Sequence, residues 1–214
     1  MAKRDPLDLK NMFNQLVPFK PITLKDVLLL RFPGHVNASL IGLAILPVFK
    51  YLKICVGKEG YEYYGEVHKS KFNCYMHTLG MPFTIYGITQ WLPALFLLSP
   101  KHCVQFIRNL FFMYLTHYLS IDYKVAALYS LIYAPVAILS SMHHYYGRTE
   151  QRIFRGLFIS IAALVFQEGI GHWWGGDDPS RLEAVPNAIL YAKFFSLHHL
   201  KGSEVPSEIS PVLP

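Results

Sequence analysis

The residues of this chain that could do chemistry are histidines and one carboxylate. Ten histidines are spread over 214 residues, and several sit at or inside the edges of apolar runs. An imidazole inside a membrane segment is expensive unless it has a partner, so each such histidine is a candidate functional group. The stretch FQEGIGHWWGGDDPSR, which starts at Phe166, is the most informative. Glu168 and His172 are four residues apart and share one face of a helix, the spacing by which a single helix supplies two ligands to one metal. A carboxylate in an apolar span needs a cation, a metal or a proton, and Gly169 and Gly171 leave room for a neighbouring helix. The structural alternative pairs Glu168 with Arg108 and leaves His172 at the membrane interface.

HKSKFNCYMHTLGMP places His68 and His77 nine residues apart. On one continuous helix they point to opposite faces, so they share a site only if the chain breaks between them or His68 folds back from a loop. His143 and His144 end another apolar run and point about 100° apart on a helix, so one of the pair faces the bundle interior. The alternative for this pair is an interfacial belt with Tyr145 and Tyr146. His35, His102 and His117 have no polar companions at helical spacing and read as anchors at headgroup level, and the His198–His199 pair reads the same way. Together, His68, His77, His143 or His144, Glu168 and His172 come from three helix ends. Several nitrogen ligands with at most one carboxylate suit iron, and they also fit zinc or copper. The HxxHH box of other membrane di-iron oxygenases is absent, since position 140 is Ser140.

Such residues must be held by elements, and composition says which kind. Hydrophobic residues make up 52 % of the chain and charged residues 16 %, against roughly 25 % charged in ordinary soluble domains, which excludes a disordered chain or a solvated bundle. Mean hydropathy is +0.26. Phe72 to Pro100 is a run of 29 residues without an acid or base, and Val125 to Gly147 is another of 23. This pattern predicts an all-α integral membrane helical bundle with five or six spans. The spans run over about His35–Phe49, which either crosses or re-enters, His77–Ser99, Cys103–Ile121, Val125–Met142, Gly156–Trp174 and Ala184–Leu200. Three segments follow: an N-terminal extension over 1–34 with a short interfacial helix at Leu24–Phe32, a membrane domain over 35–200, and a Pro/Ser-rich disordered tail over 201–214. Val56–Lys71 reads as an exposed loop.

The formal net charge of +6 comes from basic residues scattered over short inter-span loops, which points to membrane lipids with anionic headgroups as partners and away from nucleic acid. Cys55, Cys74 and Cys103 form no CxxC and encode neither a disulfide framework nor a zinc ribbon. The first residues, MAKRDPLDLKNMFNQ, lack the apolar stretch of a cleavable signal peptide, so insertion relies on the spans.

Between Tyr64 and Phe195 the chain resembles a family. A histidine followed nine residues later by a second histidine and then G-x-P, as in HKSKFNCYMHTLGMP, is similar to the family's first signature. FQEGIGHWW is similar to its second, and HHYYG lies where the family has a further histidine. The family is that of the small endoplasmic-reticulum 2-hydroxy fatty acid dioxygenases of phytosphingosine degradation. The resemblance implies a multi-pass protein of the endoplasmic-reticulum membrane that uses Fe(II) and O2 to convert a 2-hydroxy fatty acid to a fatty acid one carbon shorter. It also implies His68, His77, His143 or His144, and His172 as metal ligands. Gln167 or Glu168 stands where the family has its glutamine, and Glu168 is taken as the catalytic carboxylate. Gly176 occupies the position where an acid is common in the family, with Asp177 and Asp178 beside it. A 2-hydroxy acid chelates iron through its hydroxyl and carboxylate, which three or four protein ligands leave room for. Two other readings stay open: a non-catalytic lipid-binding or membrane-organising protein, and a membrane lipid hydroxylase that leaves the carbon count unchanged.

Overall fold

The computed structural model describes residues 33–52, 58–96, 99–178 and 185–200. The interfacial helix expected at 24–32, the rest of the extension up to residue 32, Cys55 and the tail over 201–214 lie outside the described residues. Every element among the described residues is helical: α1 (Gly34–Tyr51), α2 (Lys58–Gly65), α3 (Lys71–Leu95), α4 (Pro100–Leu119), α5 (Tyr123–Tyr146), α6 (Thr149–Leu164), a π-helix π1 (Val165–His172), the single turn α7 (Trp173–Gly175) and α8 (Val185–Leu200). Local chemistry sets several of the starts. Ser99 accepts a hydrogen bond from the His102 N–H, with Pro100 opening α4, and the Asp122 carboxylate caps α5 by accepting from the N–H groups of Lys124 and Val125.

One expected loop is helical. Within Val56–Lys71, α2 forms because Tyr61 and Tyr64 share a face and bury against α8, where Tyr61 packs on Phe194 and Phe195 and Tyr64 on Phe195. That burial offsets the unfavourable composition of KEGYEYYG. The helix expected from Gly156 begins earlier, at Thr149, and continues through α6, π1 and α7 without a break to Gly175.

Two helical stretches among the described residues are long and apolar enough to cross a membrane: Tyr123–Tyr146, of 24 residues, and Thr149–Gly175, of 27. Their apolar windows are only 33 % and 17 % buried, unlike the core helix of a soluble protein. Phe154, Phe158, Ile161 and Val165 leave one side of the longer stretch exposed and apolar.

α3 is the central element and packs most extensively against α6, while α1 pairs with α4 and α4 with α5. The core is built of tyrosines. Tyr114 donates to the Ile189 carbonyl at 2.7 Å and Tyr118 to that of Leu190 at 2.9 Å, tying α4 to α8, while Tyr118, Tyr129 and Tyr133 pack edge and face. His117, expected at headgroup level, is instead wholly buried beside Gly42 and Tyr191, because the face of α4 that carries it is covered by α1 and α8. Lys193 is buried too, donating to the Ile189 carbonyl with its ammonium 3.8 Å from the centre of the Tyr114 ring.

The α3–α6 contact depends on two facing glycines. A Cβ on Gly87 would stand 2.8 Å from the Gly156 carbonyl oxygen, and one on Gly156 would stand 2.9 Å from that of Gly87. Backbones this close exclude any side chain. Gly87→Val is expected to cost about 1–3 kcal/mol by forcing the helices apart, read as a lower unfolding midpoint in detergent. Gly169→Ala, where the new methyl meets only Val165 at 3.7 Å, should leave the midpoint nearly unchanged.

Candidate metal centre

Three histidines from different parts of the chain meet at one buried point. The helix breaks between α2 and α3, and His68 lies in that break, so its ring turns toward His77 on the second turn of α3 although the two are nine residues apart. His68 Nε2 is 3.2 Å from His77 Nε2, and His77 Nε2 is 3.3 Å from His172 Nε2 at the end of π1. All three side chains are about 2 % exposed, and their ligand atoms lie within 4.8 Å of one another.

The other edge of each ring faces oxygen. His68 donates from Nδ1 to the Tyr64 carbonyl at 2.8 Å, and its ring stacks on the Tyr64 ring with centroids 4.1 Å apart. His172 donates from Nδ1 to the Asp178 carbonyl at 2.6 Å, and the Nδ1 of His77 faces the Tyr64 hydroxyl at 3.5 Å. With the Nδ1 hydrogens of His68 and His172 so directed, their Nε2 atoms are left to bind a metal, and the three Nε2 atoms converge. Burial pushes the His68 imidazole down to about 4, against the hydrogen bond to Tyr64, so this ring is neutral near pH 7. Neutral imidazoles whose second nitrogen is tied to a carbonyl are the form in which histidine binds metal. Ligands about 2.0–2.2 Å from one ion, at right or tetrahedral angles, stand about 2.8–3.6 Å apart, and both short Nε2 separations fall in that range. The group can therefore hold a metal ion.

Glu168 belongs to the same locality. Its Oε2 lies 3.5 Å from His172 Nε2, and the side chain is 35 % exposed, so it reaches the cluster from the open side. The helix that carries both residues is a π-helix over Val165–His172. Residues four apart still share a face in this wider helix, and π segments are frequent at functional sites. Arg108, the alternative partner for Glu168, instead bonds to the amide oxygen of Asn109 at 3.3 Å, next to Gly34 on α1.

Sequence reading missed the residues that hold this geometry. After α7 the chain turns at Gly176, whose φ of +72° is in the left-handed region that glycine adopts at no steric cost. The turn returns the chain to the start of α3. There the Asp177 carboxylate accepts from the Ser70 N–H at 3.0 Å and from Asn73 Nδ2 at 2.9 Å, capping α3 from outside. The neighbouring Asp178 carbonyl is thereby fixed on His172. One signal was available: Asp177 is adjacent to the position where the resembling family often has an acid. Tyr64, through its carbonyl and ring, and Asn73, through its side-chain amide, gave no such signal.

Two expected ligands are not brought to this cluster. His144 is buried, but its Nε2 donates to the Thr89 carbonyl at 2.7 Å and its Nδ1 accepts from Arg152 Nη1 at 2.8 Å, which leaves no nitrogen for a metal. His143 faces the Tyr86 hydroxyl at 2.9 Å. The register of α5 turns both toward the α6 end where Arg152 and Arg155 lie. His102 is exposed, bonded to the Ser99 hydroxyl.

No protein-family model, no curated protein and no solved structure matches the chain.

The purified full chain is expected to bind one divalent ion, and Asp177→Ala should weaken that binding about 10–100-fold by releasing the carbonyl that orients His172, while His143→Ala should leave it unchanged; metal titration of the two variants checks this. In the metal-free protein the folded state holds His68 at about 4, below the ordinary 6.5. The unfolded chain takes up the proton first, so stability present above pH 6.5 should be lost as pH falls toward 4, a sign that unfolding midpoints at pH 7.5 and 5 will check.

Proposed function

We propose that this chain is an Fe(II)-dependent dioxygenase of the endoplasmic-reticulum membrane, anchored by five or six spans, that converts 2-hydroxy fatty acids to fatty acids one carbon shorter. The observation that carries the reading is the meeting of His68, His77 and His172, with Glu168 beside them, within a helical turn of an apolar groove in an outward-facing apolar surface.

His68, His77 and His172 are the residues that would hold the iron. When bound, Fe(II) supplies the redox chemistry on O2 and a positive centre for the hydroxyl and carboxylate of the substrate. The chain's own residues account for the rest. Tyr64 and the Asp178 carbonyl keep the His68 and His172 rings oriented with Nε2 unprotonated. Burial raises the Tyr64 phenol well above its ordinary value, so it stays a neutral hydroxyl beside His77. Glu168, whose Oε2 lies 3.5 Å from His172 on the open side of the cluster, would take the proton of the substrate's 2-hydroxyl.

The groove fits an acyl chain. It has a volume of about 470 Å³ and is lined by Leu79, Gly80, Phe83, Phe158, Ala162 and Phe166 among others, all apolar. Gly80, three residues after His77, is part of the lining, and there α3 packs on Gln167, the neighbour of Glu168. Leu79, Phe83 and Phe158 are exposed along it, so it is open to the side. Trp173 and Trp174, both largely exposed just after π1, suit headgroup depth, and with them there a polar head would lie at the histidines and its tail in the hydrocarbon.

His172→Ala is expected to abolish odd-chain product from 2-hydroxypalmitate with Fe(II), and His102→Ala, at an exposed helix start, should retain most activity. A folded His172→Ala protein that keeps its iron and shortens the acid at the parent rate would overturn the assignment. Iron content near one per chain separates the enzyme from a membrane-organising protein, and an unchanged carbon count in the product would point to a hydroxylase.

A further inference from the structure

We propose that the corner where α5 turns into α6 is a binding site for the phosphate of an anionic phospholipid headgroup, with Arg152, Arg148 and Arg155 as its cations. This inference is independent of the chemistry at the histidine cluster.

Arg152 is 94 % buried by its 6 % exposure, yet no carboxylate lies within ion-pair distance of it among the described residues. Its hydrogen bonds go to neutral groups: Nη1 to His144 Nδ1 at 2.8 Å and to the His144 carbonyl at 3.0 Å, and Nη2 to the Thr149 hydroxyl at 2.7 Å. Nε is buried with no hydrogen-bond partner. A buried guanidinium with only neutral partners and a spare donor calls for an anion.

The surroundings supply the rest of such a site. The α6 N-terminus, which Arg152 overlies through Thr149, has no side-chain cap at Arg148, so its free N–H groups and the positive end of the helix dipole face the same place. Arg148 and Arg155 are exposed on the same end of α6, and Arg155 reaches the Tyr86 hydroxyl, which meets His143. Glu150 is the one acid on this turn, against three arginines.

The lipid is favoured over free phosphate by place. The corner joins the two helices long enough to cross a membrane, so it lies where headgroups are, and Tyr145 and Tyr146 close α5 beside it. An arginine fork matches a phosphate diester bidentately.

The full chain purified in detergent is titrated with short-chain phosphatidylglycerol, with phosphatidylcholine of the same tails and with inorganic phosphate, and bound lipid is read by native mass spectrometry. Saturable binding of phosphatidylglycerol, at least tenfold tighter than phosphatidylcholine, is expected. Each surface arginine is worth about fivefold, so the Arg148→Gln/Arg155→Gln pair should weaken binding about 25-fold. Lys69→Gln/Lys71→Gln, at the start of α3, should leave it unchanged. Arg152→Lys keeps the charge and loses the fork, and an intermediate loss is expected; should that protein fail to fold, the exposed pair alone decides. Equal binding of the two lipids, parent affinity in the exposed pair, or an equal loss in the lysine pair would overturn the proposal. Saturation by inorganic phosphate at the affinity of the lipid would overturn the lipid as its source.

Discussion

Three imidazole rings bring their Nε2 atoms to one buried point, His77 standing 3.2 Å from His68 and 3.3 Å from His172, and much of the rest of the structure serves to impose that arrangement. The break before α3 lets His68 fold back onto His77, the long helix from Thr149 delivers His172 from the opposite side, and oxygens behind the rings hold their orientation. Imidazoles held in this way can take a metal ion between them.

The support lies one layer out and is mostly backbone. Asp177 does not touch the cluster, yet by capping α3 it joins the two strands of chain that carry His77 and His172, and the carbonyl of its neighbour orients a ring. Further along α3, Thr89 and Gln90 bind Ser140, and the Thr89 carbonyl receives His144, so a second polar network clamps α3, α5 and α6 together. The close approach at Gly87 and Gly156 lies between the two networks. Since α3 is fixed against α6 at three levels, the register of His77 against His172 follows from packing along the whole helix pair.

The helical architecture was legible because charge is excluded from long runs, a signal that survives any detail of packing. Glu168 and His172 were legible for a different reason: polar residues in apolar segments are few, and a spacing of four puts these two on one face. The spacing of His68 and His77 argued for opposite faces, and it was the family resemblance that joined them to the group. The same logic misplaced His143 and His144. Spacing says that one of the pair points inward without saying toward which helix, and in the fold the inward ring meets Arg152, eight residues ahead across a turn. α2 was illegible because its composition is that of a loop, and only the tertiary contact of Tyr61 and Tyr64 with α8 makes it a helix. The π segment leaves no trace in an i, i+4 reading, since α- and π-helices both bring such residues to one side.

Under the proposed function, the lateral opening of the apolar groove has a thermodynamic consequence: an alkyl chain entering between Phe83 and Phe158 would pass from hydrocarbon to protein without meeting water. Extraction into an aqueous cavity costs about 0.8 kcal/mol for each methylene, so the cost would rise steadily with chain length and long chains would be the slowest to arrive. With a side entrance that cost vanishes for every length alike. What then governs arrival is abundance in the plane of the bilayer, where a hydrophobic molecule is already concentrated, and discrimination between chain lengths has to come from where the groove ends.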